Sequence, residues 1–454
     1  MSPRVTAHTL ILGAGPGGLA AAHQLVLNGA TPILIEKDSE VGGLMRAVKR
    51  GPFVVDIGRK ELYSRIPAVH RSWCELLGED YRPYERRVGI LCEGRVFDAS
   101  PRTLWAGMPR TTFAAGVFDY LAYRMSSFHR PARSYQDYWY QRRGPRFTRM
   151  TTQTFAEKFT GRRWAELPPP PEASHVHGGV SLRRMFHHAP PAQTEWRHPV
   201  RGTGQLCEAI ERRVRAAGGW IHVNARLANV TTERERITSV TVDYETGGRV
   251  VYEPAHVVSS VPVQILARAL APEACGPAVR PRAAATVLVY LFADEAPRTP
   301  YCWIEVNCPR AQAGRITNYA AFDGSMVPPG KTCLCVEFFH AESTGLLGWT
   351  DHDLRQLALD ECAAAGLISP DACTDHLILK LPQVDAAMRW ESWHDEATKQ
   401  ARSVVARVAN LYDVNRPGTD RAFHAGMEAA EAILSGERAD FDRGTDPAAP
   451  APWA

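Results

Sequence analysis

Apolar residues fall in short runs separated by glycine, and the first of these runs sets the architecture. Residues 9–12 read as a short buried strand. Gly13-Ala14-Gly15-Pro16-Gly17-Gly18 follows at once, and residues 19–27 read as a helix that Gly29 ends. Residues 32–35 are a second apolar run closing on Glu36. Strand, glycine turn, helix, strand is the βαβ unit that cradles a dinucleotide. Gly13 allows the tight turn, Gly15 lets backbone approach a pyrophosphate, and Gly18 lets helix pack on strand. Pro16 and Gly17 open the helix, whose N-terminal N–H groups attract phosphate. Glu36 is placed to accept hydrogen bonds from a ribose diol, with Lys37 beside it.

Further runs place the rest of the chain. Residues 53–58 read as a strand ending at Gly58, after the glycine pair Gly42-Gly43. Residues 206–217 form an amphipathic helix ended by Gly218-Gly219. Residues 220–224 and 227–230 are extended, 237–244 and 250–253 form a hairpin around Gly247-Gly248, and 256–261 is a buried strand ending at Pro262. Residues 284–292, 301–306, 315–322 and 332–339 alternate as strands and read as an antiparallel sheet. Residues 353–365 and 422–434 read as helices closed by Gly366 and Gly436.

A length of 454 residues with 45% apolar and 22% charged residues fits an ordinary globular chain of two domains, here interleaved. A net charge of +4 gives no argument for nucleic acid. Between 100 and 196, aromatics such as Tyr120, Tyr138 and Trp139 interleave with arginines such as Arg124, Arg142 and Arg143. Three readings fit: a helical subdomain with solvated arginines, a cap over a substrate, or a single-strand nucleic-acid surface, the last least favoured. The ten cysteines include no CxxC, and Cys333 and Cys335 share one strand face as core residues. His175, His177, His187, His188 and His198 lack metal-ligand spacing. Pro168 to Pro171 is an extended break, and residues from Glu437 on read as a disordered tail. The nucleotide motif begins near residue 10 and no apolar run reaches the roughly 20 residues of a membrane span, so a soluble, cytoplasmic protein is expected.

One pattern carries a resemblance. GxGxxG, an acid ending the second strand, then Gly42-Gly43-Leu44-Met45-Arg46 and a strand ending Asp56-Ile57-Gly58 resemble the FAD-binding half of the amine oxidase and protoporphyrinogen oxidase superfamily, whose architecture UDP-galactopyranose mutase shares. Similar pieces follow in order: 76–97, 154–161, Arg201-Gly202-Thr203-Gly204, 315–319 and 327–332. The resemblance implies an α/β fold in which a Rossmann-like FAD-binding domain (1–98, 196–265 and 386–436) is interleaved with a helical cap (99–195) and an antiparallel substrate sheet (266–385), with a tail at 437–454. It implies non-covalent FAD held by Gly13, Gly15, Pro16, Gly17, Gly18, Glu36, Lys37, Gly43, Leu44, Arg46, Gly58, Arg59, Val230 and Arg416. In that family a glycine and a histidine follow D-x-G beside the flavin; here Arg59 and Lys60 stand there. The family's C-terminal Gly-Arg segment is replaced by a shorter Asn415-Arg416-Pro417-Gly418.

The resemblance implies an FAD-dependent oxidoreductase that takes a hydride from a small molecule onto flavin N5, the acceptor being O2 or another oxidant. A sugar or aminocyclitol intermediate is one substrate class it suggests. Two alternatives stand beside it: a nucleotide-sugar mutase-like isomerase, which Arg315 as an anion clamp favours, and a flavin-binding scaffold without turnover. Lys60, Arg315 and His424 are the candidate catalytic residues.

Overall fold

The computed structural model describes residues 2–98, 108–127, 130–169, 196–272, 284–322, 325–384 and 396–437. Expectations for Phe128, His175, His177, His187, His188, Cys275, the end of the 168–171 proline run and the tail beyond 437 lie outside the described residues.

Two seven-stranded sheets organise the chain. The first takes β1 (Arg4–Leu12), β2 (Ile33–Ile35), β9 (Trp220–His222), β10 (Ala225–Glu233), β11 (Arg236–Tyr244), β12 (Arg249–Ser259) and β18 (Leu411–Asp413). Its parallel centre runs β18-β12-β1-β2-β9, and the β10-β11 hairpin extends it antiparallel from β12. Parallel strands are covered on both faces, so β1 is fully buried from Leu10 to Leu12. One face carries helix α1 (Pro16–Leu27), flanked by α2 (Pro67–Leu77), α7 (Gly204–Ala216) and α11 (Thr419–Ser435). The other carries α8 (Val263–Leu270) and α10 (Glu396–Ala406).

Helix α1 starts at Pro16 rather than at residue 19, because proline suits the first helical turn, where its missing N–H is not needed. The runs at 250–253 and 256–261, read as separate strands, are one strand, β12. Tyr252 is the last residue of β12 paired with β11 and Val257 the first paired with β18. Pro254 falls between, so its missing N–H interrupts neither ladder on that edge.

The second sheet is ordered β17 (Cys373–Val384), β13 (Ala284–Ala293), β16 (Thr332–Phe339), β15 (Arg315–Asn318), β14 (Trp303–Val306), β6 (Val88–Cys92), β7 (Arg95–Asp98). It is not purely antiparallel: β14 and β6 run parallel, because the hairpin β6-β7 joins it from residues 88–98, a stretch the sequence assigned to the cofactor half. The expected strand 315–322 stops at Asn318, whose side chain accepts from Ala320 N–H and turns the chain into a short 3-10 helix. Helix α9 (Asp351–Ala364) covers one face of the sheet. Against the other lie β3 (Ala47–Arg50) and β4 (Phe53–Asp56), a hairpin whose end is the D-x-G turn. A two-stranded pair, β5 (Tyr81–Pro83) with β8 (Arg197–Pro199), closes beside them.

Residues 108–167 form helices α3 (Arg110–Ser126), α4 (Tyr135–Arg143), α5 (Pro145–Thr148) and α6 (Thr154–Thr160). Their arginines are largely used internally: Arg130 pairs with Asp137, Arg146 with Asp119, and Arg142 and Arg143 lie over the rings of Tyr138 and Trp139. Lys158 of α6 donates to the carbonyls of Val306, Cys308 and Ala313 and so ties the cap to the sheet.

Candidate functional site

The glycine loops form a cradle. A Cβ on Gly18 would lie 2.0 Å from the Gly13 carbonyl oxygen, and one on Gly426 of α11 only 2.1 Å from that of Gly17. Helix α1 therefore packs at backbone distance on the turn after β1, and α11 packs at backbone distance on α1. Gly42 N–H donates to the Ala14 carbonyl (2.7 Å), which brings the second glycine loop onto the first. Gly43, at φ +56°, faces Gly15: a Cβ there would meet only Gly15 Cα, at 3.6 Å. The start of α1 carries no side-chain cap and no acidic residue, which leaves its N–H groups for an anion. Two side-chain-free loops over an uncapped helix N-terminus fit the pyrophosphate of a flavin dinucleotide.

Glu36 is buried; it accepts from Ala14 N–H (2.7 Å) and Asp38 N–H (2.9 Å). A carboxylate has about four acceptor positions, so capacity for a ribose diol remains. Lys37 points outward to Asp38 rather than into the cradle. Arg46 pairs with the same Asp38 (3.0 Å) at the lip of the second loop, while Leu44 packs into the apolar cluster beneath it. Val230 lies on the edge strand β10. Its side chain is buried in the sheet core and its backbone lies opposite Val240 in the β10-β11 ladder. The irregularity in that ladder falls earlier, between Leu227 and Asn229. Arg416 folds back on its own loop, donating to the carbonyls of Asp413 and Asn415.

The D-x-G turn is held from four directions. The Asp56 carboxylate accepts from His198 Nε2 (3.0 Å), Thr203 N–H (2.7 Å) and the Thr203 hydroxyl (3.0 Å). Burial alone would raise that carboxyl; the His198 and Thr203 contacts reverse the effect and hold it low. The Asp56 carbonyl accepts from Tyr290 and Tyr319 hydroxyls (2.8 and 2.7 Å), and Gly58 N–H donates to Tyr290 Oη (3.0 Å). Gly202 permits the approach, since a Cβ on it would lie 2.6 Å from Asp56 Oδ1. His198, which the sequence left among scattered histidines, is thus part of this turn; its contact spans 142 residues and has no local signature.

Beyond Gly58 the chain meets a charged cluster. Arg59 pairs with Glu61, lies 4.3 Å over the Trp303 ring, and donates its backbone N–H to Glu337 (2.9 Å). Arg86 reaches the other Glu61 oxygen (2.6 Å) and lies over both Trp303 and Trp196. Lys60 turns back to donate to the Ile57 carbonyl. Burial lowers the Lys60 ammonium, with Glu337 and Asp56 opposing and Arg315 reinforcing. Arg315 is not a surface residue: it is buried, 3.3 Å from Glu337, and lies 5.3–5.6 Å from the rings of Phe155, Phe159 and Phe339. Burial raises the carboxyl of Glu305 against the pull of Arg315, Arg59 and Arg86. The structure therefore brings Lys60 and Arg315 together, around Glu337. His424 stands apart on α11, half-buried, with Nδ1 3.6 Å from Glu428 one turn on. Cys333 and Cys335 are fully buried core residues behind the turn, and no metal-ligating cluster occurs among the described residues.

Known proteins fit this geometry. Residues 11–62 match an NAD(P)-binding Rossmann-like domain, and residues 110–439 match the family of flavin containing amine oxidoreductases. No curated protein sequence matches the chain. Among solved structures, a reduced UDP-galactopyranose mutase superposes with a TM-score of 0.74 at 16% identity, covering 97% of this chain and 98% of its own. An oxidoreductase from Methanosarcina mazei gives 0.58 at 17%, over 95% and 99%. A putrescine oxidase bound to putrescine gives 0.58 at 12%, over 95% and 100%. At these identities the structures establish a shared fold. The match over residues 110–439, well beyond half the chain, together with a cradle shaped for a flavin dinucleotide, establishes that the chain belongs to the flavin containing amine oxidoreductase family and is an FAD-dependent oxidoreductase.

Proposed function

We propose that the protein dehydrogenates a small molecule at the turn formed by Gly58, Arg59 and Lys60, with FAD held non-covalently in the glycine cradle. When bound, FAD supplies a two-electron acceptor for a hydride at N5. The cradle residues Gly13, Gly15, Gly43 and the start of α1 hold the pyrophosphate, and Glu36 the ribose. The D-x-G turn, fixed by Asp56, Tyr290 and Tyr319, sets the backbone against which the ring rests. Arg59, stacked on Trp303 and tied to Glu61, walls the site and excludes water. Lys60 keeps its proton at Nζ on the Ile57 carbonyl, and the burial that lowers it suits a group that exchanges a proton with substrate.

The observation that carries this reading is the convergence on one turn of Tyr290, Tyr319 and Glu337 from the second sheet and of His198 and Thr203 from the chain that returns to the cofactor half. The isomerase alternative draws on Arg315 as an anion clamp; Arg315 is buried, 3.3 Å from Glu337, whose carboxylate faces its guanidinium. A sugar- or aminocyclitol-type biosynthetic intermediate remains the substrate class to screen first. The test is spectral: the purified protein carries oxidised FAD, released by denaturation, and an anaerobic substrate bleaches it. Product with two fewer hydrogens supports dehydrogenation. An isomer formed only by reduced enzyme, with no net redox change, would refute it.

A further inference from the structure

Glu337 stands on β16 in the middle of the second sheet, between neighbours Val336 and Phe338 that are fully buried. Its own exposure is 5%. A carboxylate so placed is strongly unfavourable unless paired and hydrogen-bonded. Its partners come from the turn and from the neighbouring strand β15: Oε1 accepts the Arg59 N–H (2.9 Å) and the Thr317 hydroxyl (3.3 Å), and Oε2 accepts from Arg315 (3.3 Å). A Cβ on Gly58 would lie 3.4 Å from Oε2, so the carboxylate rests directly against the turn. Arg315 brings to this pair a guanidinium enclosed by three phenyl rings, its Nε without a hydrogen-bond partner.

An apolar residue would fill this space at less expense. What a carboxylate adds is an oriented Arg59 amide and one fixed negative charge between Arg315 and Lys60. We infer that Glu337 is a positioning residue that sets the flavin's reduction potential, by fixing the Gly58–Arg59 backbone and offsetting the cations behind it. The inference rests on the reading that the flavin ring lies beside residues 58–60. Reduction adds negative charge to the flavin, which neighbouring cations favour and neighbouring anions oppose. At an effective dielectric near 20, a unit charge within about 12 Å of another shifts an equilibrium roughly tenfold.

The experiment is a spectroelectrochemical titration of the FAD-loaded full chain. Glu337→Gln keeps the shape and removes the charge. It is expected to favour reduced over oxidised flavin by about tenfold, which is about 30 mV upward for a two-electron couple. Arg315→Gln removes a cation from the same pair and is expected to move the potential downward by a similar factor. Glu337→Asp retains the charge and returns the potential most of the way to wild type. Should Glu337→Gln fail to yield folded flavoprotein, the downward shift in Arg315→Gln carries the test. Variants that bind FAD at the wild-type potential overturn the inference and leave the flavin site standing. A wild-type chain that takes up no FAD overturns the underlying reading, and that outcome is seen before any variant is made.

Discussion

Replacing Asp56 by asparagine tests whether the D-x-G turn is held as described. The wild-type carboxylate receives three hydrogen bonds, from His198 Nε2 and from the Thr203 amide and hydroxyl, and all three groups are buried. Asparagine keeps one oxygen, which suits Thr203. Its NH2 then faces His198 Nε2, which must give up its proton to accept. The proton moves to Nδ1, a buried atom with no hydrogen-bond partner. Leaving a buried donor without a partner costs about 1–3 kcal/mol. The depth of burial of His198 places this variant at the upper end, about 3 kcal/mol. With roughly 2–4 °C per kcal/mol for domains of 150–250 residues, melting falls by about 6–12 °C. The pH dependence has a definite sign. A carboxyl held low in the fold contributes stability that is complete above its unfolded pKa near 3.9 and is lost as pH falls through the folded value. Thermal melts followed by circular dichroism should therefore show a gap between wild type and variant that is constant from pH 8 to about 5 and closes on further acidification. A gap under about 1 kcal/mol at pH 7, or one that widens toward pH 4, would refute the account of the turn.

Further outcomes follow from the same geometry. Gly18→Ala forces a Cβ to within 2.0 Å of the Gly13 carbonyl; overpacking of about 1–3 kcal/mol at the cradle should weaken FAD binding at least tenfold, read by flavin fluorescence. His23 is buried on α1 and lowered to about 4, first by burial and then by Arg213. A histidine lowered on folding contributes fully above its unfolded value near 6.5, and stability is lost as pH falls from there toward 4. His23→Leu should accordingly gain about 2 kcal/mol on wild type between pH 7 and pH 5, by denaturant titration. Lys158→Met leaves three carbonyls at the cap–sheet junction without their donor and should cost about 1–3 kcal/mol, with faster proteolysis of the 108–167 region.

The cofactor half was legible because its signals are local. Gly13 to Glu36 is one strand–turn–helix–strand unit, and Gly18 stands where a Cβ would collide with the Gly13 carbonyl five residues earlier. The substrate half was legible as strands but not as pairings. Nothing in residues 88–98 says that they will run parallel to β14 across more than two hundred residues. Glu337 and His198 were missed for the same reason. Their contacts with the turn span 278 and 142 residues, and a lone acid within a strand such as Thr332–Phe339 reads as a solvent-facing position until the sheet's second cover is known. Arg315 was visible as a cation, but its role depended on Phe155 and Phe159, which arrive from the cap.

The central strand β1 has consequences for the chain as it is made. Its neighbour β12 is complete only at Ser259, and α11, which closes over α1, only at Ser435. At about 5–20 residues per second of synthesis, the first apolar strand waits on the order of 20–90 s before its last cover exists. During that interval Leu10, Ile11 and Leu12 have no permanent shelter, and FAD has no finished cradle to enter. Expression at reduced temperature with holding chaperones, and cofactor supplied after translation, should therefore raise the yield of loaded protein more than cofactor present from the start.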